Sequence, residues 1–291
     1  MSASVIASGP DAPTLRQVID VLESLHPPGW AQPWDAVGLV CGDPAAPVRR
    51  VHFAVDPTTE VVEEAVAAGA DLLVTHHPLL LRPVNSVAAT TFKGAVVHRA
   101  VTAGLAIHVA HTNADAGAPG VSDALARVLD LDHLVPLEPL PDRPDLGIGR
   151  VGDLAAPERL GDFADRVAAA LPETEQGVRV AGDPDALVRR VAVCGGSGDS
   201  LFDRVRASGA DVYVTADLRH HPASEARERA AFEDGRPYLV DVAHWASEWP
   251  WLAGCADRLV AALAGDGRTV EAHVSTTRTD PWTLRVPSRG E

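Results

Sequence analysis

In Asp71-Leu72-Leu73-Val74-Thr75-His76-His77-Pro78 an apolar run stops abruptly at two adjacent histidines and a proline. Entered through Gly69-Ala70 and closed by Pro78, it has the pattern of a strand buried on both faces. Such strands belong to sheets covered by helices, which place their chemistry in the crevice beyond the strand C-termini. His76 and His77 fall in that crevice. Imidazole is the commonest metal-binding side chain, and two at a rigid strand end can address two ions, or one ion and a substrate. Taken alone, the dipeptide fits at least as well a capped strand end whose histidines only form hydrogen bonds.

Working outward, strands alternate with helices. Residues 51–56 read as a strand, 57–68 as a helix with Pro57 near its first turn, and 92–103 as a second helix. Residues 105–110 form another strand, which ends in His111-Thr112-Asn113-Ala114-Asp115, and 121–129 form a further helix. Upstream, Leu15 to Leu25 has helical spacing with Thr14 as N-cap, and Pro27-Pro28-Gly29 stops it. Trp34 to Cys41 is a loop running into a short strand. Strand and helix in this alternation are the βαβ signature. Residues 133–148 carry Pro136, Pro139, Pro141 and Pro144 and read as a linker, which divides the chain into a first α/β lobe (1–132) and a second (149–291). In the second lobe 157–170 read as a helix, and Val191 to Cys194 as a strand ending at Gly195-Gly196-Ser197-Gly198.

The second lobe repeats the first. Val51 and Gly69-Ala70-Asp71 in one copy match Val191 and Gly209-Ala210-Asp211 in the other, each pair 140 residues apart. Where the first copy has His76-His77, the second has Ala216-Asp217. Val109-Ala110-His111 followed by Asp115 matches Val242-Ala243-His244 followed by Glu248, so both copies carry a histidine with a carboxylate four residues on. A duplication of this kind points to one site to which each half contributes ligands. If His244 opens a helix, His244 and Glu248 lie on one face and can reach one ion; a helix-opening cap or salt bridge is the plainer alternative.

Composition narrows the classes. A chain of 291 residues, 46% of them apolar, can bury a sizeable core. No stretch approaches the ~20 apolar residues of a membrane helix. The opening MSASVIASGPDAPT lacks the basic and apolar regions of a secretion signal. Three cysteines, Cys41, Cys194 and Cys255, without CxxC spacing indicate neither a disulfide framework nor a zinc knot, and a cytoplasmic protein is expected. A net charge of −15 with no basic run disfavours a nucleic-acid surface on electrostatic grounds.

Taken together the segments WDAVGLVCGDP, VTHHPLLL, VAHTNADAGAPGVSDALA, GGSGDSLFDRVRASGADVYVTADLRHHPASEA, DVAHWASE and STTRTDPW resemble, in order, those of the Nif3-like dinuclear metal-centre proteins, also called GTP cyclohydrolase I type 2 homologues. The resemblance spans about residues 14 to 285. It implies two intertwined, internally duplicated α/β lobes with mixed sheets, and two divalent ions per chain held by His76, His77, Asp115, His244 and Glu248. Three imidazoles and two carboxylates suit Zn, Fe, Mn or Co. His111 is then expected to orient a ligand carboxylate, Trp34, Asp35 and Gly38 to line or brace the cleft, and Asp217 and His220 to hold substrate or move protons. A homohexamer, as a trimer of dimers, and a small-molecule substrate of nucleotide class follow from the same resemblance, while no membrane partner is expected from the lack of a long apolar stretch. It implies a metal-dependent hydrolase, with a non-catalytic metal-handling or regulatory protein as the alternative. Ala36, Ala216, Ala243 and the LRHH at 218–221 depart from the family's usual residues and touch no expected ligand. Gly195 to Gly198 is open to two readings, an anion site or a tight strand-to-helix turn.

Overall fold

The computed structural model describes residues 12–287; most of the stretch read above for a secretion signal, residues 1–11, lies outside the described residues. Two units share the chain. One takes the segment ending at Pro28, Trp34–His111 and Cys255–Thr277; the other takes Gly29–Pro33, Thr112–Gly254 and the segment from Arg278. Each lobe therefore differs from the contiguous division expected above: 112–132 belong with the second unit, and 255–277 with the first.

The first unit is built on a five-stranded sheet of β1 (Gly38–Cys41), β2 (Arg50–Ala54), β3 (Leu72–Thr75), β4 (Ala106–Val109) and β11 (Glu271–Val274), in the order β1-β4-β3-β2-β11. Only β1 runs antiparallel to its neighbour, so the sheet is mixed. The central strand β3 is the quoted run: Leu72, Leu73 and Val74 are all fully buried, each contributing roughly 1.5–3 kcal/mol by leaving water. Helices α2 (Thr59–Ala67) and α3 (Phe92–Ala103) cover one face, packing Val61, Val62, Val96 and Ala100 against Ala54, Leu73 and Ile107. Helix α1 (Leu15–Leu25) starts at the expected cap: Thr14 Oγ1 accepts from Gln17 N at 3.3 Å, and Gln17 Oε1 accepts from Thr14 N at 2.9 Å.

The second unit holds a six-stranded mixed sheet in the order β5-β6-β8-β9-β10-β7. Its strands are β5 (Asp132–Leu140), β6 (Arg143–Arg159), β7 (Arg179–Ala181), β8 (Leu187–Ser197), β9 (Val212–Ala216) and β10 (Tyr238–Val242). Its helices are α4 (Thr112–Asp115), α5 (Val121–Val128), α6 (Leu160–Ala170), α7 (Phe202–Ala207), α8 (His220–Phe232) and α9 (His244–Glu248). Helix α10 (Pro250–Gly265) straddles the division between the units. The proline-rich segment 133–148 is not a linker: it is the hairpin of β5 and β6, paired from Asp132↔Asp153 to Leu140↔Arg143. Among the described residues, no helix is long and apolar enough to cross a membrane.

The duplication reappears in the strand register. Val51 pairs with Leu72 and Val191 with Val212; Phe53 pairs with Val74 and Val193 with Val214. Asp71 Oδ2 accepts from the backbone of Arg49 and Arg50, as Asp211 Oδ2 does from Arg189 and Arg190. The Gly-Ala-Asp triplet is thus a strand-start device, used twice.

Buried histidines make the first unit acid-sensitive. His108, on β4 and 2% exposed, has its pKa lowered by burial from 6.5 to about 4. His26 is lowered to about 3, by burial first and then by the charges of Arg258, His76 and His108. In each case the unfolded chain takes up a proton at a pH where the folded one does not. Stability is therefore whole above pH 6.5 and falls with pH down to the folded value, by about 1.4 kcal/mol per pH unit for each ring. Urea denaturation of the full chain between pH 7 and pH 4.5 is expected to show this slope, and His108→Leu to remove its share.

Candidate metal centre

In the first unit β3 delivers His76 and His77, and β4 delivers His111 two residues past its end. Their ring centroids lie 5.1, 5.1 and 5.5 Å apart, and each ring can offer one nitrogen within 4.8 Å of the other two. Every Nδ1 is engaged by an oxygen: His76 by Ala110 O at 2.9 Å, His77 by Asp56 Oδ1 at 2.7 Å, and His111 by Asp35 Oδ1 at 2.9 Å. An Nδ1–H that donates to oxygen fixes the tautomer and puts the lone pair on Nε2, the form a metal-ligating histidine needs. Asp35 reaches this position because its fully buried carboxylate also accepts from Ala36 N, and Trp34 stands edge-on to His111 at 6.0 Å.

His111, expected to orient a carboxylate, pairs with that of Asp35, and its ring lies grouped with those of His76 and His77. Sequence reading passed over Asp56. Its only signal is its position, two residues past the end of a strand that lies beside β3.

In the second unit the one-turn helix α9 carries His244 and Glu248 on one face, with His244 Nε2 3.0 Å from Glu248 Oε1. His244 Nδ1 is held at 2.6 Å by Asp217 Oδ2, the same pattern as in the first unit. Asp217 adopts a left-handed backbone (φ 54°) to do so, a conformation a side-chain-bearing residue takes at a cost. By the 140-residue offset it stands where the first copy has His77. Asp217, expected to hold substrate or move protons, thus pairs its carboxylate with the His244 ring. Asp217→Asn keeps the shape and removes the charge; zinc affinity, measured by competition with a chromophoric chelator, is expected to fall 10- to 100-fold with the fold unchanged.

The glycines of β8 explain how close α9 comes. A Cβ on Gly196 would sit 2.4 Å from Glu248 Oε1 and 3.1 Å from His244 Nε2, and Gly196 N donates to Ser247 Oγ at 2.8 Å. Ser247 in turn donates to His244 O at 2.7 Å. The Gly-rich segment is a cradle for the histidine–glutamate pair, and the helix after it, α7, has only six residues. Asp115 ends α4, and its charge and that of Glu248 both act on Cys194, whose thiol burial and these two carboxylates push up to about 12. Cys194 is therefore a protonated filler, as is Cys255, whose thiol burial also pushes up to about 12.

His220 is elsewhere. It opens α8 and lines a cleft of about 420 Å³ with Arg179, Leu218, Ser224, Arg227 and Asp241.

Two mixed sheets, with histidines held in the ligating tautomer beside carboxylates, define an α/β protein whose clusters can hold divalent metal ions. The particular family follows from comparison. Residues 13–281 match the family described as Duf34/NIF3 (NGG1p interacting factor 3), and the chain belongs to it. A Streptomyces coelicolor protein named GTP cyclohydrolase 1 type 2 homolog is 55% identical over 278 residues, covering 95% of this chain and 96% of that protein. A Mycobacterium tuberculosis protein of the same name is 38% identical, covering 93% and 97%. The crystal structure of a Bacillus cereus protein related to NIF3 superposes with a TM-score of 0.85 at 25% identity, covering 94% of this chain and all of that one.

Proposed function

We propose that this chain is a dinuclear metal protein in which His76, His77, His111, Asp115, His244 and Glu248 hold two divalent ions. The observation that carries the reading is the common treatment of four imidazoles: each donates Nδ1–H to an oxygen, to Ala110 O, Asp56, Asp35 and Asp217 respectively. Core histidines that merely fill space have no need of four such partners. Four nitrogens and two carboxylates exceed what one tetrahedral ion uses, and the set suits Zn, Fe, Mn or Co. The chain passes from one unit to the other between His111 and Thr112, so Asp115 follows the histidine cluster by four residues.

The chemistry such a pair of ions supplies when bound is a hydroxide-like water at neutral pH and polarisation of the bond it attacks. The names of the relatives support a hydrolase acting on a C–N bond of a purine nucleotide or a similar small molecule. In that role the chain fixes its ligands through Asp35, Asp56 and Asp217 and keeps α9 close through Gly196. A cytoplasmic homohexamer belongs to the same reading.

A specific observation favours the alternative of a non-catalytic metal-handling or regulatory protein. Of the two residues expected to move protons, Asp217 is committed to His244 and His220 lines another cleft. Elemental analysis of the purified chain is expected to show two ions that disappear in His76→Ala and Glu248→Ala. Metal-dependent release of formate from GTP supports the hydrolase. Two ions without turnover of GTP or its relatives moves the conclusion to the metal-handling role, and a chain that takes up no metal overturns the proposal.

A further inference from the structure

A second group of ligand-type side chains lies in the first unit and belongs to none of the motifs discussed so far. Strands β2 and β11 run parallel with His52 directly opposite His273. Residues opposite one another on neighbouring strands share a face of the sheet. Helix α2 crosses that face and presents Glu64. His52 Nε2 lies 3.6 Å from Glu64 Oε1, and His273 Nε2 lies 3.9 Å from the same oxygen. The two rings stand 4.8 Å apart, tilted by 35°.

The distances are too long for hydrogen bonds, whose upper range is about 3.2 Å. They are close to the spacing of two ligands around one small cation, since metal–nitrogen distances of 2.0–2.1 Å place tetrahedral ligands about 3.3 Å apart. Each of the three residues can offer an atom within 4.8 Å of the others, so closure onto an ion needs only small side-chain movements.

His52 is the informative member. It is fully buried, and neither ring nitrogen has a hydrogen-bond partner. An imidazole with both nitrogens unsatisfied inside a sheet core is an expensive arrangement, and such groups are rare. Burial first of all keeps this ring neutral, lowering its pKa below 6.5 against the pull of Glu64. Neutral imidazole is the metal-binding form. The carboxylate is also prepared: Ser275 Oγ donates to Glu64 Oε2 at 2.7 Å, and Thr277 N donates to Ser275 Oγ at 3.1 Å. That chain fixes one carboxylate oxygen and turns the other toward the two rings. His273, with 56% of its side chain exposed, gives an ion a route in from solvent and leaves a position for water.

We propose that His52, His273 and Glu64 form a mononuclear site for a zinc-class divalent cation, completed by water, which staples β11 and α2 to β2. The ligand set, two imidazoles and one carboxylate with an open fourth position, is one zinc uses. The site does not depend on the dinuclear reading above.

The test compares the full-length chain with His273→Ala and Glu64→Gln. His273 is exposed, so its removal leaves the core intact, and glutamine keeps the acceptor for Ser275. After chelator stripping and equilibrium dialysis against buffered zinc, each variant is expected to bind one ion fewer than the parent. Each is also expected to lose part of the zinc-dependent rise in Tm. In a chain carrying His76→Ala and Glu248→Ala, the His273-dependent ion is expected to remain. Zinc content that is the same in the parent and in His273→Ala overturns the site, as does an ion that vanishes with His76→Ala and Glu248→Ala while ignoring His273.

Discussion

Arg150→Leu is expected to destabilise the second unit by roughly 3–5 kcal/mol, the cost of removing one partner from a buried ion pair. Arg150 is 2% exposed, yet its guanidinium is fully used. Nε and Nη2 form a fork onto the Asp123 carboxylate at 2.9 and 2.7 Å, and Nη1 donates to Gly147 O and Gly149 O at 2.6 and 2.8 Å. Nη2 also donates to Gly117 O, in the loop that follows Asp115. Asp123 meanwhile accepts from Gly120 N at 2.7 Å and so caps α5. One side chain thus ties β6, α5 and the segment next to a proposed ligand. Leucine fills much of the volume but leaves Asp123 and three carbonyls without their donor. Arg150→Lys restores the charge but not the planar fork, and should recover only part of the loss. Urea denaturation of the full chain reads both; a loss under about 1 kcal/mol for the leucine variant would show that water replaces the network at little cost.

Gly196→Ala is expected to weaken zinc binding about 100-fold, equivalent to about 2.7 kcal/mol. Two costs combine. The backbone there is left-handed (φ +68°), which costs a non-glycine residue about 1 kcal/mol, and the new methyl would stand 2.4 Å from Glu248 Oε1. Overpacking of this kind typically costs 1–3 kcal/mol, and here it is relieved by displacing the glutamate and His244. Gly209→Ala is the matched control: it has the same φ of +68° but nothing within 4 Å of the added carbon. That variant should lose stability without losing zinc. Equal zinc affinity in both variants would mean that α9 can retreat from β8 and still bind.

The central strand was readable residue by residue because Leu72 to Thr75 are all buried and a continuous apolar run has no other use at that length. Helix α1 announced itself through its cap at Thr14, which is a local signal. Two elements were hidden for opposite reasons. Prolines 136 and 139 suggested a linker, but β5 is an edge strand paired on one side by β6, a position in a sheet where proline is tolerated. The strand β11 gives no pattern, since Glu271, Ala272 and His273 are exposed and its pairing partner lies some 220 residues earlier. At the site, His76, His77, His244 and Glu248 stand out as motifs. The carboxylates that orient them do not: Asp56 reaches His77 across 21 residues and Asp217 reaches His244 across 27, distances over which only the sheet fixes who meets whom.

The interleaved division of the chain also bears on how the protein is made. Strand β2 borders β11, and β11 lies in the returning segment Cys255–Thr277. A ribosome adding 5–20 residues per second needs roughly 10–30 s to go from His111 to Thr277. Throughout that interval the nascent chain carries β1 to β4 with one flank of β2 unpaired, an open template for strands of neighbouring nascent chains. Synthesis rate and chaperone occupancy during that window, more than the stability of the finished protein, should then govern how much of the chain is recovered in correctly folded form.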